Sequence, residues 1–175
     1  MARVAGLTQG QRLTEEQRRI LDNPRVRRVA GVLADERVVG PIIALHESAR
    51  TAAEAAAACS CDIGAIANSL IFRCDDRPLL ILTSGAHRVD VKKVQRQLGR
   101  GHLHRADADY VLQVTGQVIG GVAPVGHPDH IETIVDTALA GYPAIWADAG
   151  HPHALFPTTY EELIRITSGT PMQVA

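Results

Sequence analysis

Long apolar runs are missing from this 175-residue chain. No window approaches the roughly 18 consecutive apolar residues that a membrane span needs, and the N-terminus has no apolar signal core. A cytoplasmic location is therefore expected, with no membrane partner. Cysteine is scarce: Cys59, Cys61 and Cys74 are too few and too irregularly spaced for a disulfide framework, which fits a reducing compartment. Cys59-Ser60-Cys61 is a C-x-C pair with no second pair, so it is neither a zinc knuckle nor a C-x-x-C redox motif. No metal and no other cofactor is expected. An excess of one charge is absent too, with 18 Lys+Arg against 19 Asp+Glu and a formal net charge of -1. That excludes a globally basic DNA or RNA binder, though not a local basic patch. Lysine is nearly absent, the two being Lys92 and Lys93; we read the arginine preference as genome bias. Repeats, heptads and low-complexity stretches are lacking.

What is present suits one globular domain: 46% apolar and 21% charged residues. At this length folding removes roughly 70% of the accessible surface, enough for a sizeable core. Residues 1–23 are polar, with Gly6 and Gly10, and Leu13, Ile20 and Leu21 offer at most one packing turn. Asn23-Pro24 starts a helix, and Val26, Val29, Ala30 and Leu33 carry its apolar stripe to about Glu36. Arg25, Arg27 and Arg28 crowd its first turn, where the helix dipole disfavours cations; they argue for an outside partner or for nothing. Val38–Leu45 reads as a buried strand broken at Gly40-Pro41. Thr51 and Glu54 form a capping box for an alanine-rich helix to Ala58. Ser69–Arg73 and Leu79–Thr83 read as a hairpin, with helices from Asp90 to Gly99 and after Asp107, and a short strand at His102–Arg105. Ile131–Val135, Ala144–Ala147 and Leu155-Phe156 are further strands, with a helical turn at Thr137–Ala140. Thr158 with Glu161 reads as a second capping box, opening a last helix to about Thr167. Strict βαβ alternation is absent. The expected class is α+β, a single domain with a mixed, mostly antiparallel sheet or partial barrel flanked by helices.

Chemistry could sit in three places. Gly120-Gly121-Val122-Ala123-Pro124-Val125-Gly126-His127 can point backbone amides at one concave spot. It is neither a P-loop nor a dinucleotide fingerprint, and a turn into an edge strand is the structural alternative. Asn68 and Ser69 open an apolar strand, where one side chain can face a cleft; capping and backbone bonding are the commoner uses of such residues. Asp148 to His153 places an acid and two imidazoles in a loop. A Ser69–His151–Asp148 triad can be drawn there, without the G-x-S-x-G elbow. His102 and His104 read as a polar strand face.

The collinear order of Thr51-x-x-Glu54-Ala55-Ala56, Ile66 to Phe72, Leu82 to Lys93, Thr115 to Gly126 and Gly150-His151-Pro152 resembles the YbaK/ProX family over roughly residues 36–168. These are free-standing editing domains related to the insertion domain of bacterial prolyl-tRNA synthetase. The resemblance implies an appendage at 1–35 with one helix and an editing domain at 36–175. It implies a bacterial trans-editing deacylase that hydrolyses the ester of a mischarged tRNA, possibly of the tRNA-Pro class. The alternative is a silent binder of aminoacyl-tRNA or an aminoacyl-nucleotide. The implied partners are the aminoacyl-tRNA acceptor end and an aminoacyl-tRNA synthetase. Gly120 and Gly121 would stabilise the oxyanion, with Asn68 standing where the family usually has lysine. His46, Ser69, Val122, Ala123, Pro124, Asp148, Gly150 and His151 would contact substrate. Arg88 and Lys92 would contact the tRNA.

Overall fold

The structure, a computed structural model, describes residues 12–46 and 49–175. The expectations placed on Gly6 and Gly10 lie outside the described residues. The N-terminal stretch forms two helices where one was expected. Helix α1 (Glu15–Leu21) opens on a capping box that the sequence reading missed: the Gln17 amide donates to Thr14, and the Gln17 side chain accepts from the Thr14 amide. Helix α2 (Pro24–Asp35) follows, capped by Asn23. Then come β1 (Ile43–Ala44), α3 (Ala52–Cys59), β2 (Ile66–Cys74), β3 (Arg77–Ser84), α4 (Val91–Leu98), β4 (Leu103–Arg105) and α5 (Ala108–Thr115). The chain closes with β5 (Glu132–Asp136), a 3-10 turn at Thr137–Gly141, β6 (Ile145–His151), β7 (Ala154–Thr158), α6 (Tyr160–Thr167) and β8 (Thr170–Met172).

Two expectations need correction. The strand at 38–45 shrinks to Ile43–Ala44, because Gly40-Pro41 cannot sustain a ladder. The last helix is capped one residue later than expected. Thr159 accepts from the Glu162 amide, while the Thr158 hydroxyl donates to the Glu162 carboxylate.

The strands form one mixed sheet in the order β1-β7-β6-β2-β3-β5-β8, with β4 also paired to β2. The β2–β3, β2–β4, β6–β7 and β1–β7 pairs are antiparallel; β2–β6, β3–β5 and β5–β8 are parallel. The sheet is open, so the α+β reading holds. Alternation along β2 and β3 sends Ile71, Leu80 and Leu82 to one face, and Phe72, Leu79 and Ile81 to the other. The first face is covered by α2 (Val26, Val29, Leu33), by Val111 of α5 and by Val122, Ala123 and Val125. The second carries Val94 of α4 together with Val174. Helix α3 lays Ala55 and Ala56 against Ile66, Trp146 and Leu155; its small side chains permit that approach.

Candidate active site

Strand β2 changes partners along one edge. Ile66 and Ala67 pair with Trp146 and Ala147 of β6, whereas Phe72 to Cys74 pair with β4. The Ala106 amide donates to the Ile71 carbonyl at 3.1 Å, extending the β4 side by one bond. Between these two partners the edge at residues 68–70 faces no strand. The Ile66 carbonyl accepts from Gly85 on the β3 side and the Ile71 carbonyl faces β4. Alternation therefore aims the Ser69 amide and carbonyl into the slot. On the far side β6 leaves β2 after Ala147 and continues against β7, with a register shift between Asp148 and His151.

A cavity of about 220 Å³ fills this slot. Asn68, Ser69, Gly120, Val122 and Asp148 line it, joined by Arg50, Arg105 and the apolar Leu70, Ile71, Val111 and Ile119. The Ser69 hydroxyl is buried and has no hydrogen-bond partner. Burial holds the Asp148 carboxyl well above the usual carboxylate range. An unpartnered hydroxyl and a desolvated acid on one wall mark a functional cleft more than a structural core.

The glycine loop is pinned from beneath. The buried Gln117 amide accepts from the Ala123 N–H at 2.6 Å and donates to the Val125 carbonyl at 3.1 Å. His127 Nε2 lies 2.9 Å from the Ala123 carbonyl, which assigns the proton to that nitrogen. Burial pushes the His127 pKa down, with Arg28 and His130 adding to the shift and the Ala123 bond opposing it. The Arg28 guanidinium donates to the His127 carbonyl at 3.1 Å.

The two glycines at the head of the loop differ. Gly120 has φ +88 and lines the cavity, and a Cβ there would meet only the Arg50 side chain, at 3.2 Å. Gly121 has no such φ; a Cβ there would stand 2.7 Å from the His151 carbonyl carbon and 2.8 Å from the Pro152 nitrogen. Gly121 thus lets two loops touch backbone to backbone and does not line the cavity. Gly150 has φ +89 and lies against the Arg25 backbone, 3.1 Å from where its Cβ would be.

Of the expected site residues, the fold gathers Asn68, Ser69, Gly120, Val122 and Asp148 around the cavity. Ala123 and Pro124 are buried behind that wall. His151 lines a second cavity of about 230 Å³ with Glu16, Arg19, Ile20 and His153. Its Nδ1 accepts from the His153 amide at 3.1 Å, and burial, then His153, Arg25 and Arg50, push its pKa down. Because Ser69 Oγ has no partner, no base activates it: the Ser69–His151–Asp148 triad is not assembled. His46 is exposed, its Nε2 3.5 Å from the Gln17 amide nitrogen. Arg88 and Lys92 flank the start of α4, on the sheet face away from the glycine loop. The sequence reading missed Arg50 and Arg105. Arg50 precedes the Thr51 capping box and Arg105 ends β4, so neither position carries a spacing signal. Among the described residues no three His, Cys, Asp or Glu side chains converge as metal ligands would.

The aminoacyl-tRNA editing domain family matches residues 46–166. The uncharacterized protein YwhH of Bacillus subtilis is 30% identical over 117 residues, covering 66% of this chain and 74% of YwhH. The proline–tRNA ligase of Bacillus licheniformis is 37% identical over 71 residues, covering 41% of this chain and only 12% of the ligase. A crystal structure provisionally assigned as a trans-editing enzyme for prolyl-tRNA synthetase superposes with a TM-score of 0.82 at 38% identity. It covers 87% of this chain and 97% of its own.

Proposed function

The chain belongs to the aminoacyl-tRNA editing domain family, and on that premise we propose that it frees tRNA of the proline class from wrongly attached small amino acids. The observation that carries this reading is the cavity in the β2 edge, walled by the glycine loop, Ser69 and Asp148. The reaction is ester hydrolysis. Water adds to the aminoacyl carbonyl carbon, the bond to the ribose oxygen breaks, and that oxygen leaves as a hydroxyl after taking a proton. Free amino acid and deacylated tRNA result.

Charge develops on the carbonyl oxygen during the attack, and backbone amides at the Gly120 turn are suited to receive it without a nucleophilic side chain. We assign Asp148, whose carboxyl burial holds well above the usual carboxylate range, the exchange of a proton with the attacking water or the leaving ribose hydroxyl. The Ser69 hydroxyl and the exposed Ser69 backbone edge supply hydrogen bonds for the amino group. Asn68 offers hydrogen bonds without charge, while Arg50 and Arg105 bring cations to the same cavity. That supports a working pocket over a silent one. No described helix is long and apolar enough to cross a membrane. We further propose that it acts in the cytoplasm, beside the synthetase that generates the error.

The test is a panel of mischarged tRNAs, alanyl- and cysteinyl-tRNA for proline foremost, with prolyl-tRNA as control. Release of alanine or cysteine with prolyl-tRNA spared is the expected result. No release of any amino acid above spontaneous hydrolysis overturns the assignment.

A further inference from the structure

The arginines at the head of α2 sit where the helix dipole opposes them, and no acid lies in that first turn to offset them. Their place in the fold explains the arrangement. Helix α2 precedes the family-matched segment, yet its backbone at Arg25 lies against Gly150, and Val29 meets both Gly126 and Gly150. Both loops of the site therefore rest on this helix. Arg25 and Arg50 are near enough to His151 to push its pKa down. Arg50 and Arg105 line the mouth of the cavity and are exposed. The described ion pairs use Arg19, Arg27, Arg73, Arg100 and Arg165, with His87, and none of these three arginines. Arg28 is bound to the His127 carbonyl through one guanidinium nitrogen and has further donors to offer.

We propose that Arg50 and Arg105 at the cavity mouth, with Arg25 beside the Gly150–His151 loop, form a phosphate-binding surface on which the backbone of the tRNA acceptor end lies while its aminoacyl ester enters the slot. This rests on the reading of the cavity as a tRNA-editing site. It moves the nucleic-acid surface from α4, where the sequence placed Arg88 and Lys92, to α2 and the cavity mouth. An overall charge near zero is no obstacle, because the arginine surface is local.

The experiment measures binding of an uncharged tRNA-Pro transcript across a salt series, for the wild type, for Arg25→Gln with Arg105→Gln, and for Arg88→Gln with Lys92→Gln. Arg28 and Arg50 are left in place because they touch His127 and Gly120. Each lost phosphate contact flattens the log-log salt slope by about 0.7 to 0.9. The Arg25/Arg105 variant should flatten it by roughly 1.5 and bind several-fold more weakly, with its thermal midpoint retained; the α4 variant should match the wild type. An unchanged slope in the Arg25/Arg105 variant overturns the proposal. So does an equal loss in the α4 variant, or a wild type that binds no tRNA. Deacylation by the wild type, run in parallel, separates the two claims. Hydrolysis with an unchanged slope in the Arg25/Arg105 variant removes the arginine surface alone. A flattened slope without hydrolysis removes the editing reading and leaves the arginine surface.

Discussion

Two aspartates sit on different strands of the sheet, and their surroundings are opposite. Asp136, at the end of β5, is 1% exposed and fully engaged. Its Oδ2 accepts from the Ser84 amide at 3.1 Å and the Thr83 hydroxyl at 3.4 Å, and lies 2.8 Å from His87 Nδ1. Its Oδ1 caps the following turn through the Ala138 amide. Asp148, in β6, makes no hydrogen bond to a described side chain, and desolvation alone drives its pKa up. One carboxylate is held by the fold; the other is left for a visitor. Asp136 is buried and Asp148 only half-buried, and their partners separate them more sharply still.

Removing each acid should separate structure from function. Asp136→Ala leaves two amides, a hydroxyl and an imidazole without their acceptor, and each buried donor left unsatisfied costs about 1–3 kcal/mol. A urea titration should show most of the protein's stability gone; a loss under about 1 kcal/mol would show that water replaces the carboxylate there.

The glycine loop repeats the contrast within two residues. Gly120→Ala should lower the deacylation rate by about a hundredfold, on the scale of one lost oxyanion donor, with only a modest fall in thermal midpoint. Gly121→Ala forces a Cβ against the His151–Pro152 backbone and should cost stability by roughly 1–3 kcal/mol, as overpacking does. Equal effects of both substitutions on rate per folded molecule would erase the distinction.

Asp148→Asn should lower the rate and raise stability at neutral pH. The raised folded-state pKa means that the neutral carboxyl is the better tolerated form. The wild type is spared the penalty below the unfolded value of about 4 and loses stability as pH rises through the folded value. The midpoint advantage of Asp148→Asn should therefore be near zero at pH 4 and grow toward pH 7. An advantage independent of pH would mean that the carboxyl is not desolvated.

The smallest effect concerns the histidines behind the loops. His127 and His151 have lowered folded-state values, so the unfolded chain takes up their protons first and stability falls as pH drops below about 6.5. Two-dimensional NMR of the imidazole signals should show both titrating below that point; ordinary values would refute the burial argument.

Local chemistry was legible in the sequence. Asn23 with Pro24, the Thr51–Glu54 box, and the Asp90 and Asp107 caps each declare a helix through residues at most three apart, and all four stand as expected. The β2–β3 hairpin showed for the same reason, with Asp75 turning at φ +55. Strand β8 did not, because three residues with a proline on an edge carry no period. The cavity was only half visible. Gly120, Asn68, Ser69 and Asp148 stood out by type. Arg50 and Arg105 became neighbours only because β4 and β6 leave β2 at different points, and long-range register has no signature in a single chain.

That divided edge also has a kinetic side. The β2–β3 and β6–β7 pairings join neighbours in the chain, whereas Ile43 meets Leu155 and Ala67 meets Ala147 only after long loops close. The slot exists once β4 and β6 have both docked, so its walls come together late, after the hairpins that supply them. During refolding, strand and helix signals should return before the chain regains affinity for a substrate analogue.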